Sequence, residues 1–315
     1  MERRPLGRSG LSVPPFVFGG NVLGWTADEP TSFRLLDRLV EAGFDTIDTA
    51  DVYSAWAPGH QGGESETVLG NWLARRGRRD DVKILTKVGM KMGSGEEGLS
   101  PAWIRKEIDA SLQRLKTDYV DLYQAHKDDP DTPLEDTLAT FAELIKAGKV
   151  RAIGCSNYSG ARLKEALEVA ASHGLPRYES LQPSYHLMNR AEFETDTAPV
   201  VREAGLGVIS YHALAAGFLT GKYRSKADLA KSPRGKGVEK YLDARGERVL
   251  AALDAAAAKL GATQGQVALA WVIARPDITA PIASATSLEQ LEGLIAGATL
   301  RLDADTMAAL DAASA

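Results

Sequence analysis

Four side chains of different chemistry stand where short β-rich runs end: Asp48, Lys87 and His126, with Tyr53 five residues beyond the first. An acid, an amine, an imidazole and a phenol brought to one mouth make a proton-handling set. A free phenol, with a pKa of about 10, gives up its proton poorly near neutrality. An ammonium within about 4 Å favours the phenolate by on the order of 4 kcal/mol at an effective dielectric of about 20, before desolvation is subtracted. The expectation is that Lys87 acidifies Tyr53 while Asp48 keeps Lys87 charged and oriented. His126 can hydrogen-bond the oxygen of a bound carbonyl and polarise it. Tyr53 is then the general acid for a carbonyl oxygen that gains negative charge. No side chain supplies a hydride, so a cofactor must. Carbonyl reduction is the reaction that suits the set.

Such residues need elements that converge. Candidate strands cover residues 16–19, 46–48, 82–87, 119–125, 150–155, 178–182, 207–211 and 278–282. Amphipathic stretches separate most of them. One is the stripe Ile104, Ile108, Leu112 and Leu115 at helical spacing. Ser100-Pro101 and Thr132-Pro133-Leu134-Glu135 read as helix starts, the latter as a capping box, and Ser287-Leu288-Glu289-Gln290 repeats the arrangement. Gly43, Gly148 and Gly174 read as helix ends. Eight strands alternating with helices argue for an α/β chain folded as a (β/α)8 TIM barrel, which gathers reacting groups at the C-terminal ends of its strands.

Two segments depart from the alternation. Residues 4–13, with Gly7 and Gly10, read as an N-terminal β-hairpin able to plug the lower end of the barrel. Residues 217–246 form a long insertion between the seventh and eighth strands, followed by an alanine-rich helix over 249–260. A further helix closes the chain. No linker or internal repeat divides residues 1–315, so one barrel domain is expected.

Composition removes other classes. At 44% hydrophobic and 25% charged, the 315 residues are those of a globular chain. A net charge of −5 with scattered basic residues argues against a nucleic-acid partner. Arg75-Arg76-Gly77-Arg78-Arg79 reads as a solvated helix end. No apolar run suits a membrane span, and no apolar segment follows Arg3-Arg4 to make an export signal, so a cytoplasmic protein without a membrane partner is expected. The single cysteine, Cys155, excludes a disulfide framework and reads as a small core residue. His60, His173, His186 and His212 lack metal-ligand spacing, so no metal is expected. No strand runs into a Gly-x-Gly-x-x-Gly turn, which argues against a Rossmann fold.

Several motifs, in order, resemble the aldo-keto reductase family. They are Asp48-Thr49-Ala50-Asp51-Val52-Tyr53, Gly63-Glu64-Ser65-Glu66, Thr86-Lys87, Tyr123-Gln124-Ala125-His126 and Gly154-Cys155-Ser156-Asn157. Leu181-Gln182-Pro183, the run from Leu214 to Tyr223, and Glu289-Gln290-Leu291 continue the series. The pattern is similar to the bacterial members and the potassium-channel β-subunit branch. The resemblance implies an NADPH-dependent reductase of aldehydes or ketones with Asp48, Tyr53, Lys87 and His126 as the catalytic four. It implies that Ser156, Asn157 and Gln182 hold the nicotinamide carboxamide and that Tyr211 stacks on its ring. It also implies Gly20, Asn21 and Asp48 as further cofactor contacts. Leu214, Gly217, Leu219 and Lys222 would line the pyrophosphate path, and Ser284, Thr286 and Gln290 the adenosine end.

The chain departs from the family around the adenosine 2′-phosphate. Ser284, Thr286 and Gln290 include no arginine, and Gly293-Leu294 replaces the usual Glu-Asn. Lys222 or Arg234 could supply the missing charge, so NADPH is favoured with NADH as the alternative. His212 stands where a proline is usual after the stacking residue. Trp25 and Trp56 could wall an apolar substrate pocket or serve packing. The expected partner is a small carbonyl compound, and the chain a monomer or weak homo-oligomer. Rival readings are a cofactor-binding regulatory subunit of the same fold, and a hydrolase pairing Asp48 with Glu64. An ion pair between Asp48 and Lys87 with a purely structural role leaves Tyr53 and His126 unexplained.

Overall fold

An antiparallel hairpin, β1 (Arg4–Pro5) and β2 (Ser12–Val13), precedes the barrel. Eight parallel strands then close on themselves: β3 (Val17–Gly19), β4 (Thr46–Asp48), β5 (Lys83–Val88), β6 (Val120–Ala125), β7 (Val150–Ser156), β8 (Ser180–Gln182), β9 (Gly207–Ser210) and β10 (Ala280–Ala283). The last strand pairs with both β9 and β3. A computed structural model describes residues 2–232 and 234–315. All eight expected strands are present, with ends displaced by no more than 2 residues.

Helices fill the crossovers. They are α1 (Glu29–Glu41), α2 (Glu64–Arg76), α3 (Pro101–Leu115), α4 (Leu134–Lys146), α5 (Gly160–His173), α6 (Ala198–Ala204), α7 (Ala244–Leu260), α8 (Gln264–Ile273), α9 (Leu288–Thr299) and α10 (Ala304–Ser314). The stripe Ile104, Ile108, Leu112 and Leu115 is buried beneath α3, whose first turn Ser100 caps by accepting from the Trp103 amide. Gly43, Gly148 and Gly174 follow α1, α4 and α5 with positive φ, as their spacing implied. The capping box expected at Thr132 does not form. Pro133 occupies the cap position of α4 without a side-chain bond, and the Thr132 hydroxyl donates to Asp129 at 2.8 Å instead. That contact holds the Thr132 side chain at Asp129, and α4 starts one residue later than the box requires. At α9, Ser287 caps the Gln290 amide, but Gln290 reaches back to the Thr286 N–H at 2.9 Å rather than to Ser287.

The barrel interior is layered. Leu85, Leu122, Ala152, Ile209, Ala280 and Ile282 form its lower, apolar part together with Leu6, Leu11 and Val13 of the hairpin. The hairpin therefore plugs the lower end, with Leu6 pressed against Gly207 where β9 begins. Two residues further along β5 and β6, the same inward face carries Lys87 and Gln124, which are register partners. A larger apolar cluster fills the space between strands and helices, and Cys155 lies in it.

The insertion is ordered as three short 3₁₀ segments, Ala215–Thr220, Lys226–Lys231 and Gly235–Tyr241, before α7. Residue 233 of the expected insertion lies outside the described residues. The helix expected over 249–260 starts earlier, at Ala244, because Asp243 caps it by accepting from the Gly246 amide. Arg75 and Arg76 lie in the last turn of α2, where they pair with Asp37 and Asp81. Arg79 turns inward to the buried Asp121 at 2.8 Å. Among the described residues no helix is long and apolar enough to cross a membrane.

Candidate active site

The C-terminal ends of β4, β5 and β6 bring the expected four side chains together. Lys87 Nζ donates to Asp48 Oδ2 at 2.6 Å, to the Thr49 carbonyl at 2.8 Å and to Tyr53 Oη at 2.9 Å. An ammonium has three protons, and all three are used. Tyr53 Oη donates to Asp48 Oδ2 at 3.2 Å, so the phenol is gripped from both sides. The other carboxylate oxygen of Asp48 accepts from Gln182 Nε2 at 2.9 Å and from Gln124 Nε2 at 3.4 Å. His126, at the end of β6, meets the Tyr53 ring edge-on at 5.9 Å. Its Nδ1 is buried with no hydrogen-bond partner.

Burial sets the electrostatics. Removal from water pulls the Lys87 ammonium down, against the attraction of Asp48. His126 is pushed well below the ordinary imidazole range by burial and then by Lys87, and is neutral. The expected acidification of Tyr53 is overturned. Burial, followed by the Asp48 charge, lifts the phenol well above 10 and outweighs the nearby ammonium. A phenol so held stays protonated, which is the form a proton donor needs. The ammonium in contact with its oxygen can still stabilise the phenolate once the proton has gone.

Residues suited to a dinucleotide lie on the neighbouring strand ends. Ser156 Oγ donates to the Gln182 carbonyl at 2.8 Å, and Asn157 Nδ2 donates to the His126 carbonyl at 2.9 Å. Asn157 adopts the left-handed region with φ 57°, and Tyr211 Oη donates to its Oδ1 at 2.7 Å. Amide, hydroxyl and aromatic face thus converge beside Asp48, as a nicotinamide carboxamide and ring require. His212 also turns left-handed, with φ 62°. A proline, locked near φ −65°, has no access to that turn, so the departure at this position changes the loop.

Beyond it, Ala215, Ala216 and Gly217 have φ of 47°, 55° and 97° in succession. A Cβ on Gly217 would lie 3.1 Å from the Lys222 side chain, so this glycine keeps open a cradle beneath an exposed ammonium. Such a turn with a cation above it suits a diphosphate. Leu219 is fully buried and Leu214 partly so, and what they contribute is the shape of the turn. Ser284 Oγ donates to Asn21 Oδ1 at 2.7 Å, and a Cβ on Gly19 would collide with that hydroxyl at 2.4 Å. The Gly20 carbonyl accepts from Ser65 Oγ at 2.7 Å. Thr286 and Gln290 meet each other at the N-terminal end of α9, where free amides and the helix dipole favour an anion. Taken together, this donor set fits a nicotinamide dinucleotide. Among the described residues no group of His, Cys, Asp or Glu is arranged to hold a metal ion.

The mouth is walled by aromatics. Trp25 and Trp56 meet edge to face at 5.5 Å, and Trp56 meets the Tyr53 ring at 6.0 Å. Glu64 is not paired with Asp48. It accepts the backbone amides of Gln61 and Gly62 at 2.8 and 3.0 Å, which removes the support for a two-carboxylate hydrolase. Gln124 and the Thr49 carbonyl belong to the site and were missed in the sequence. Gln124 was accessible in principle, because it lies two residues before His126 on the same face of β6.

The sequence profile of the aldo/keto reductase family matches residues 15–315. An uncharacterized oxidoreductase of Bacillus subtilis, YrpG, is 34% identical over 99% of this chain and 95% of its own length. The protein tas of Escherichia coli is 32% identical over 99% of this chain and 97% of its own. A putative voltage-gated potassium channel subunit beta of Schizosaccharomyces pombe is 32% identical over 91% of this chain and 85% of its own. With a match of that extent, and a closed barrel that gathers those motifs at one mouth, the chain belongs to the aldo/keto reductase family.

Proposed function

We propose that this protein is an NADPH-dependent oxidoreductase that reduces aldehydes or ketones to alcohols, with Tyr53 as general acid. The observation that carries the reading is the triple engagement of Lys87, which joins Asp48 and Tyr53 in one buried unit. A bound reduced nicotinamide supplies the hydride. Ser156, Asn157 and Gln182 would orient its carboxamide, Tyr211 would stack on its ring, and Lys222 would face its diphosphate.

The chain's own part is proton transfer and alignment. Neutral His126 donates a hydrogen bond to the carbonyl oxygen and fixes its direction. Tyr53 Oη gives its proton to that oxygen as negative charge develops, and Lys87 stabilises the phenolate left behind. Asp48 keeps Lys87 in place, and its second oxygen, held by Gln182 and Gln124, fixes the carboxylate against rotation. NADPH is taken over NADH from the family the chain belongs to, since the diphosphate that Lys222 would face is common to both dinucleotides and no arginine stands at Ser284, Thr286 or Gln290.

The test follows reduced nicotinamide absorbance while a panel of aldehydes and ketones is presented with NADPH or NADH. Consumption that depends on the carbonyl, faster with NADPH, supports the reading. Tight dinucleotide binding with no consumption for any panel member would instead favour a regulatory subunit, the kind of role that the name of the Schizosaccharomyces pombe relative suggests.

A further inference from the structure

Arg234, in the insertion after β9, holds its guanidinium 5.5 Å above the Trp25 ring, across the mouth of the barrel. One of its terminal nitrogens, Nη2, is buried without a hydrogen-bond partner. Among the described residues no carboxylate forms an ion pair with it, whereas Arg79 and Arg114, which also turn inward, have theirs. An arginine side chain stays ionised in a protein, so a partly desolvated guanidinium without an anion is costly. Burial draws its pKa down. Trp25 in turn meets Trp56, and Trp56 meets Tyr53, so the cation lies on the aromatic wall that leads to the proton donor.

The surroundings define what would satisfy it. Trp25, Trp56, Tyr53 and His126 form a chain of edge-to-face rings that runs from beneath the guanidinium to the phenol and the imidazole. A guanidinium stacked on an indole keeps its N–H edge free for a planar oxygen pair. The dinucleotide phosphates have a separate cation, because Lys222 lies over Gly217 on the left-handed turn. We propose that Arg234 is a specificity-determining residue that selects flat carbonyl substrates carrying a carboxylate at the end remote from the reacting carbonyl. The assignment rests on the reductase reading and narrows its substrate class.

The test compares para-carboxybenzaldehyde with its methyl ester, which matches it in shape and lacks the charge. Wild type is expected to favour the acid. Arg234→Gln should erase that preference, with kcat/KM for the acid falling about ten- to a hundred-fold, the worth of a charged hydrogen bond. The ester kinetics and the NADPH dissociation constant should not move, and Arg234→Lys should restore part of the preference. If acid and ester fall in step while NADPH binding weakens, the guanidinium reads the dinucleotide phosphate and the proposal is wrong. Persistence of the preference in Arg234→Gln also overturns it. Failure of wild type to reduce even the ester sinks the reductase reading instead, and benzoate titration followed by tryptophan fluorescence then decides the anion site by itself. Benzoate bound by wild type and lost in Arg234→Gln sustains the site, and equal binding or none rejects it.

Discussion

At the scale of single residues, the site is organised around an ammonium whose every proton is used. Lys87 and Asp48 are both fully buried, so neither can be removed without stranding the other. Lys87→Met should lower unfolding stability by about 3–5 kcal/mol, because Asp48 would keep a buried charge with no cation beside it. Adding Asp48→Asn should return most of that stability and none of the turnover, which denaturant titration and a carbonyl assay on the same samples would reveal. The pH dependence follows from the two titrating neighbours. His126 lies well below 6.5 and is already neutral above that value, while Tyr53 lies well above 10 and remains protonated below it. Single-turnover carbonyl reduction should accordingly stay flat between pH about 6 and about 9, and an ionisation limb inside that window would contradict the assignment. The identities of the four residues were legible because strand-ending polar side chains are conspicuous in an alternating chain. The direction of the Tyr53 shift was not, since sequence reveals the nearby charge and hides the desolvation that outweighs it.

Among the elements, α2 and α3 do more than cover β5. At its start α2 carries Ser65, whose hydroxyl touches Thr49 Oγ1 at 2.8 Å, and Glu66, which holds Arg114 of α3 at 2.7 Å. Thr49 is also the residue whose carbonyl receives Lys87. The two helices pass so closely that a methyl added at Gly70 would sit 2.0 Å from the Arg114 carbonyl oxygen. Helix propensity alone would make Gly70→Ala stabilising by about 1 kcal/mol. The expected outcome is the reverse, a loss of about 1–3 kcal/mol in denaturant unfolding, because the backbones must separate. A stabilised variant would show that the helix contact yields easily. Such close approach is invisible in sequence, where Gly70 is an ordinary mid-helix glycine. Strands were easier to read, since β-rich runs bounded by helical stripes leave few alternatives. The capping box at Thr132 failed for a local reason, since Asp129 orients the hydroxyl and Pro133 takes the cap position, which spacing does not reveal.

Across the whole molecule, stability and chemistry occupy opposite ends of the barrel. The hairpin seals the lower end with Leu6, Leu11 and Val13, while Asp48, Lys87, Gln124 and Gln182 gather at the strands' C-terminal ends, Lys87 and Gln124 two residues beyond Leu85 and Leu122 of the apolar layer. Leu6→Ala should cost about 2–5 kcal/mol of unfolding free energy as a core cavity does. Under conditions where the variant is folded, its dinucleotide affinity and KM should equal those of wild type, and a shift in either would mean the plug shapes the mouth. The insertion works at the other end, where it brings Arg234 to Trp25 across the strand between β9 and β3. Sequence marked that segment as long and basic without indicating which residue it carries to the mouth, because the path depends on three short turns and their tertiary contacts.

The central claim is that Tyr53 delivers the proton while taking little part in holding the dinucleotide. Tyr53→Phe keeps the ring and removes only the hydroxyl that Lys87 contacts at 2.9 Å. Rapid mixing of the NADPH complex with an aldehyde, beside a fluorescence titration of NADPH, measures both properties in one preparation. The expected result is a reduction rate lowered about 100- to 10,000-fold with an unchanged dissociation constant. A mutant that reduces the aldehyde as fast as wild type would contradict the claim.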